Sequence, residues 1–256
     1  SRRVSRLLLE AASLAERMTI SGATACEGRF FLGGTLGILA HWELLRGRYV
    51  EAAKQGRRAV HVLAKLSACP EYADDAAYGL GLYGYETSRL PWELRWLSKF
   101  IIGGYANRAK SLVLIEQAAR GARYMRSDAQ ASLAYIHAAY DRDPPRSLAF
   151  AEMLRAERPE SPIALTLVLE ALAVGGRHDD VLSASARGLE RARPPGSMFQ
   201  REAAAYRYHQ GLALLGLRRL KEAVDAFSAA INAGGRPIWV TASRLKRGCA
   251  YDLLGE

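Results

Sequence analysis

Apolar residues recur at intervals of three and four along nearly the whole chain, and strand-like alternation is almost absent. Pro and Gly interrupt this pattern at short intervals, for example at Pro70, at Pro144 and Pro145, and at Gly234 and Gly235. Because Gly commonly ends helices and Pro begins them, the breaks divide the chain into about thirteen helices. Helices joined by short turns pack as antiparallel neighbours. The pattern therefore predicts an all-α protein built from helical hairpins.

The hairpins recur with a period of about 34 residues. In the clearest unit, Ala205 to Pro237, small and large residues alternate at the helix contacts: Gly211, Leu214, Ala223, Phe227 and Ala230. Small residues let two helices approach, and the large ones fill the gap to the next hairpin. This unit resembles the tetratricopeptide repeat (TPR), which implies a right-handed superhelical solenoid of TPR-like antiparallel hairpins. Weaker units lie at 130–162 and 162–195, and another hairpin turns at Gly47.

These units predict a single continuous helical-repeat array over residues 1–256. Residues 1–126 form irregular hairpins with an inserted helix near 91–102, and residues 127–256 form more regular TPR units. The last repeat is incomplete because it supplies only a first helix. We expect its apolar face to be covered by a continued chain or by another chain, and the residues concerned are Leu245, Tyr251 and Leu254.

The central segment carries a second resemblance. It contains, in order, the string GLGL at 79–82, Tyr85, a Leu-Pro pair at 90–91, an apolar segment, a Gly, and a Ser-Leu helix ending in Ala-Ala at 118–119. This order is similar to the core of a bacterial TPR family and of the eukaryotic inclusion-body-clearance and outer-membrane TPR proteins, over roughly residues 75 to 120. The resemblance implies a helical-repeat adaptor without catalytic residues, associated with membranes in some members. It favours a bacterial cell-envelope or membrane-associated location over the cytoplasm.

The TPR resemblance also implies which residues line the concave groove. They are Tyr78, Leu82 and Tyr85 in the central segment, and Ala205, Tyr208, Leu212 and Leu215 in the clearest unit.

In the central segment a stripe of small residues, Ala77, Gly81 and Gly84, runs between Tyr78 and Tyr85. Gly lowers helix propensity by about 1 kcal/mol at each position, so a compensating contact is expected. Close helix packing is the preferred interpretation, and a tyrosine pair facing a ligand groove is the alternative.

The insert at 91–102 is amphipathic, with Trp92, Trp96 and Phe100 on one face and Arg95 and Lys99 opposite. Inserted helices in solenoids often fill the gap between neighbouring hairpins, and this is the preferred interpretation. An amphipathic helix with Trp and basic residues also suits a membrane interface or a docked partner, which is the alternative.

No catalytic motif is present. The five histidines occupy unrelated segments, and Gly33 to Gly37 lack the Lys-Ser/Thr of a phosphate loop, so helix packing is preferred there. His137 and Asp141 are spaced like many surface pairs.

The spacing of Cys26, Cys69 and Cys249 matches no zinc site or disulfide framework. Three small buried hydrophobes are the preferred interpretation of these cysteines, with a Cys26–Cys69 bridge left open. We expect no catalytic, metal or cofactor site.

The net charge of +10 favours acidic partners. The basic residues available to phosphates are scattered over several hairpins without interleaved exposed aromatics: Arg57, Arg58, Arg218, Arg219, Arg244, Lys246 and Arg247. Binders of single-stranded nucleic acid combine charge with stacking platforms. We therefore expect a protein-interaction scaffold that binds a peptide, helix or subunit. A basic helical-repeat protein that binds nucleic acid or a membrane surface is the alternative, and nucleic acid is not the expected partner.

Replacing Trp92, Trp96 and Phe100 together with Ser distinguishes the two interpretations of the insert. Each buried aromatic contributes about 2 to 3 kcal/mol, so an insert that fills the solenoid loses many degrees of melting temperature, with or without lipid. This is the expected result by thermal denaturation. An unchanged melting temperature with lost binding to liposomes or a partner would indicate outward docking. Unchanged stability and binding would contradict both interpretations.

Overall fold

Helices make up all the regular structure that is described. The computed structural model describes residues 2–20, 22–89 and 107–255. These residues form twelve α-helices and no β-strand, which confirms the all-α prediction. The inserted helix expected near 91–102 lies outside the described residues, together with Trp92, Trp96 and Phe100.

The chain divides into two compact units, Ser1–Ala129 and Gln130–Glu256. The first unit contains α1 (Arg2–Met18), α2 (Ala25–Leu45), α3 (Tyr49–Leu66), α4 (Ala73–Ser88) and α5 (Arg108–Gly121), and α6 (Arg126–Ile136) crosses the boundary. The second unit contains α7 (Pro144–Glu157), α8 (Pro162–Val174), α9 (His178–Ala192), α10 (Ala203–Gly216), α11 (Leu220–Ala233) and α12 (Pro237–Leu254). The single continuous array over residues 1–256 stays a prediction.

Local sequence sets many of the helix ends. Proline occupies the first turn of α7, α8 and α12. Backbone N–H groups in the first turn make no hydrogen bond within the helix, so proline, which lacks this group, is tolerated there. The side chains of Asn107, Asp143 and Ser161 accept backbone N–H groups at the starts of α5, α7 and α8. Gly47 takes a positive φ of 71° in the turn between α2 and α3. The predicted turns therefore coincide with the observed helix boundaries.

Glycines let the helices of the first unit approach closely. A Cβ on Gly33 of α2 would lie 2.6 Å from Leu63 Cδ2 of α3, and a Cβ on Gly81 of α4 would lie 2.8 Å from both Ile115 Cγ1 and the Ser111 carbonyl oxygen of α5. Ala77 and Gly84 are buried beside Gly81, so the small-residue stripe packs against a helix as preferred.

The second unit repeats this arrangement. A Cβ on Gly211 of α10 would lie 2.5 Å from Phe227 Cε1 of α11, and Phe227 is fully buried with Leu214 and Ala223. Helix α10 also contacts α8 and α12. In these three hairpins a glycine on the first helix thus packs against a side chain or the backbone of the second helix.

The cysteines differ from the preferred interpretation. Cys26 and Cys69 form a disulfide, with their Cα atoms 6.0 Å apart, and Cys249 is exposed. The interpretation as three buried free cysteines is therefore wrong. The bridge joins the start of α2 to the segment after α3 across 43 residues, and spacing in the sequence carries no information on such a contact.

A buried carboxylate fixes the connection between α5 and α6. Asp75 of α4 is 3% exposed and accepts the backbone N–H groups of Arg123, Tyr124 and Met125 at 3.3, 2.8 and 2.8 Å. Tyr124 also lies 5.0 Å from the ring of Phe30 in α2. Long-range contacts therefore hold the end of the first unit together.

The predicted apolar face of α12 is only partly covered in the structure. Leu245 and Tyr251 are exposed, and Leu254 is partly buried. Covering of this face by a continued chain or another chain stays a prediction.

Two Gly→Ala substitutions in the first unit are expected to change stability with opposite signs. Gly34 of α2 has no heavy atom near the position of a Cβ, so Gly34→Ala should stabilise the protein by about 0.5 to 1 kcal/mol through helix propensity. Gly81→Ala forces the backbones of α4 and α5 apart and should destabilise it by about 1 to 3 kcal/mol. Urea unfolding measures both, and stabilisation by both variants would contradict the close α4–α5 contact.

Candidate protein-interaction surface

Three exposed apolar side chains of α2 lie on one face of the helix, and a fourth, Leu44, which is 49% exposed, lies off this row. Phe31, Ile38 and Leu45 are spaced seven residues apart, and their exposed fractions are 48%, 60% and 68%. Residues at this spacing share a helix face, so the three side chains form one row. Isolated exposed apolar residues are ordinary, but an aligned row on one helix is typical of an interaction site.

Between these side chains the backbone of α2 is accessible. Gly34 and Gly37 are exposed, and nothing lies within 4 Å of a Cβ placed on either. His41 is exposed on the same face. We call the set Phe31, Gly34, Gly37, Ile38, His41 and Leu45 the α2 surface. Its glycines would allow a partner helix to approach the backbone of α2, as Leu63 does at Gly33 on the other side.

The opposite face of α2 explains why this surface is left over. Leu32 and Leu36 of α2 pack with Ala12 and Ala15 of α1 and with Ala59 of α3. Helix α2 is apolar on most of its circumference, a pattern typical of a helix that is buried on several sides. In the first unit α1, α3 and α4 cover only part of it.

The α2 surface carries no Asp, Glu, Lys or Arg side chain. From Phe31 to Leu45 the one such residue of α2 is Glu43, which is 5% exposed and faces inward. Its carboxylate lies 3.6 Å from Arg46 Nη1 and 3.2 Å from Arg48 Nη1. The two arginines are thus paired within the chain, and His41 is the one polar side chain among the six residues of the α2 surface.

Beside Glu43, an open cleft of about 750 Å³ separates α1 from α3. Charged residues of both signs line it, and three pairs form among them: Arg6 with Glu10, and both Arg46 and Arg48 with Glu43. The cleft contains no triad or metal-ligand geometry that would indicate chemistry.

The predicted groove residues of α4 differ in exposure. Tyr78 and Leu82 are partly buried, whereas Tyr85 is fully buried. The guanidinium carbons of Arg89 and Arg108 each lie 5.9 Å from the centre of the Tyr85 ring. Tyr85 therefore lies in the core and does not line an open groove, because its ring fills the space beside α5.

In α10 the predicted residues are also partly enclosed. Tyr208 and Leu212 are partly buried, and Ala205 is fully buried. The Tyr208 ring lies 5.4 Å from that of Trp239 in α12 and 6.0 Å from that of Phe227. Tyr208 is therefore packed among aromatic rings and keeps only part of its surface accessible.

The helical periodicity did not predict a contact between the side chains of His209 in α10 and Glu170 in α8. His209 is fully buried, with Nε2 at 2.9 Å from Glu170 Oε2 and Nδ1 at 2.8 Å from the Ala205 carbonyl oxygen. Each ring nitrogen therefore lies within hydrogen-bond distance of an oxygen atom. The hydrogen bond from His209 lowers the pKa of Glu170 below its usual value, against the opposing effect of burial.

His137 and Asp141 also form a contact, within a single π-helical turn over His137–Asp141. His137 Nδ1 lies 2.9 Å from Asp141 Oδ2, and the imidazole stacks on Phe150 at 5.8 Å. Since His137 is 1% exposed, a substrate has no access to it. This pair therefore belongs to the packed interior of the second unit.

Two general features complete the description. Within the described ranges, no group of three or more His, Cys, Asp or Glu side chains is arranged to hold a metal ion. None of the helices described there combines the length and apolar character needed to cross a bilayer.

The chain matches no protein-family model, and no curated protein is significantly similar to it. The interpretation of these surfaces therefore depends on the structure and on the repeat pattern alone.

The α2 surface was not among the residues expected from sequence, although a signal for it exists. Aligning the starts of α3 and α11, Tyr49 and Leu220, places Gly37 and His41 at the repeat positions of Tyr208 and Leu212. The glycines in this helix suggested packing only, and exposure distinguishes Gly33, which packs, from Gly34 and Gly37, which do not.

The Glu170–His209 pair predicts a pH-dependent effect on stability. Because folding lowers the pKa of Glu170 below the ordinary 4.5, its contribution is present above about pH 4.5 and is lost as the pH falls through the folded pKa. Glu170→Gln should lower the melting temperature by a few degrees at pH 7, with the difference shrinking in acid. Glu152→Gln, which breaks an exposed pair with Arg155, is the control and should have little effect. Equal melting temperatures of Glu170→Gln and wild type at pH 7 would exclude a stabilising pair.

Proposed function

We propose that this chain is a non-catalytic protein-interaction scaffold, a right-handed TPR-type solenoid of about thirteen helices that binds a peptide, helix or partner subunit. The observation that carries the proposal is the α2 surface, where Phe31, Ile38 and Leu45 are exposed on one face of a helix whose opposite face is in the core. An amphipathic helix presents anchors at matching spacing, so it would suit such a face.

The repeat register supports the placement of the site. Tyr78 and Leu82 on α4, and Tyr208 and Leu212 on α10, occupy the positions that face the groove in TPR hairpins, and all four retain accessible surface. Gly37 and His41 occupy the equivalent positions on α2. The partner contacts are therefore proposed on the first helices of the hairpins, within each unit.

The disulfide supports an oxidising compartment. Disulfides form and persist outside the reducing cytosol, and Cys26–Cys69 joins two segments of the first unit. We therefore propose the cell envelope as the location, in agreement with the resemblance of the central segment.

Nucleic-acid binding is the weaker candidate. Of the basic residues expected to meet phosphates, Arg58 pairs with Glu16 and Arg219 with Glu222. Arg247 bonds Ser228. These contacts are dispersed over different helices, and none of them joins an exposed aromatic platform.

Site-specific photocrosslinking tests the proposed site. A benzophenone-bearing amino acid at Ile38 should yield discrete protein adducts in the native cell. The same group at Val113, which is 64% exposed on α5, should not. Leu45→Lys should reduce the Ile38 adducts by about tenfold or more, because it places a charge in the same apolar row, whereas Val113→Lys should leave them unchanged.

Two results would contradict the proposal. Identical adducts from both positions would show that α2 is not a specific site. Crosslinks to nucleic acid, with salt-dependent binding of random oligonucleotides, would favour the nucleic-acid alternative.

A further inference from the structure

Helix α1 uses only part of its apolar circumference inside the protein. Ala12 and Ala15 are buried against α2 and α3. The side chains of Val4, Leu7 and Leu14 lie outside this core cluster, and their exposed fractions are 39%, 51% and 57%. These large aliphatic side chains stay accessible although the same helix contributes to the core.

Several of the exposed apolar side chains form one row along α1, whereas Leu9, which is 54% exposed, lies on another side and lines the cleft. Val4, Leu7, Ala11 and Leu14 follow a spacing of three and four residues, which places them on one face over about 15 Å. Ile20, just beyond the end of α1, is 83% exposed. We call Val4, Leu7, Ala11 and Leu14 the α1 row.

Basic residues accompany the α1 row. Arg3, Arg6 and Arg17 are exposed. The two acidic residues of α1 are paired, Glu10 with Arg6 at 3.6 Å and Glu16 with Arg58 at 3.8 Å. The first unit carries nineteen Lys and Arg against twelve Asp and Glu, so most of the net positive charge of the chain lies there.

We infer that the α1 row, with Arg3 and Arg17 beside it, docks onto an anionic lipid surface. On a membrane, exposed aliphatic side chains insert at the boundary between lipid headgroups and acyl chains. Guanidinium groups beside them pair with the lipid phosphates. A second copy of α1 on the same row would bring Arg3 and Arg17 against like charges, whereas anionic headgroups complement them. This contact is separate from the α2 surface and does not depend on the proposed function.

Vesicle sedimentation tests the inference directly. The full chain should bind vesicles of phosphatidylcholine containing about 30% phosphatidylglycerol, bind pure phosphatidylcholine much more weakly, and be released by about 0.5 M NaCl. The double variant Leu7→Ser/Leu14→Ser keeps the charge and should bind about tenfold or more weakly. Its matched control, Val113→Ser/Leu253→Ser, removes two equally exposed residues and should bind as wild type.

A spectroscopic readout covers the case in which the double variant folds poorly. In a Cys249→Ser background, an environment-sensitive fluorophore on Leu7→Cys should shift to shorter wavelength with anionic vesicles, and the same fluorophore on Val113→Cys should not. Failure of wild type to bind, or equal binding by the double variant and its control, would overturn the inference. A dimer in solution that Leu7→Ser/Leu14→Ser dissociates, without vesicle binding, would overturn it in favour of a protein interface.

Discussion

The close approach of paired helices is the constraint on which the described architecture depends. In three hairpins a glycine on the first helix faces a large side chain or the backbone of the second: Gly33 with Leu63, Gly81 with Ile115 and Ser111, and Gly211 with Phe227. A methyl group at these positions would overlap its neighbour, so the interhelical distance is set by the absence of a Cβ. Because packing in protein interiors is dense, this distance determines which side chains fit between hairpins.

The same constraint determines what is left outside. Helix α2 packs through Leu32, Leu36 and Gly33, so its remaining apolar residues form the α2 surface. Helix α1 packs through its alanines and leaves the larger Leu7 and Leu14 exposed. Both surfaces are apolar because their helices are apolar beyond the face that the core uses. When a partner covers exposed apolar area of this kind, the removal of that area from water contributes favourable binding free energy.

Polar contacts and the disulfide fix the positions of particular helices within each unit. Asp75 accepts three backbone N–H groups from the turn after α5, and Glu170 receives a hydrogen bond from the buried His209. The Cys26–Cys69 disulfide fixes the start of α2 to the end of α3. A buried polar group without a hydrogen-bond partner destabilises the fold, so the contacts of Asp75 and His209 favour the helix arrangement in which they form.

The sequence by itself determined the helical class, the hairpin turns and the small-residue stripe at Ala77, Gly81 and Gly84. These follow from local periodicity, from Pro and Gly, and from steric size, all of which act between neighbours in the chain. Only the tertiary structure decided that Cys26 bonds Cys69, that Tyr85 lies in the core, that His209 meets Glu170, and that Gly34 and Gly37 are exposed whereas Gly33 is packed. Those outcomes depend on side chains from helices far apart in sequence, and a helical periodicity describes a face without identifying what covers it.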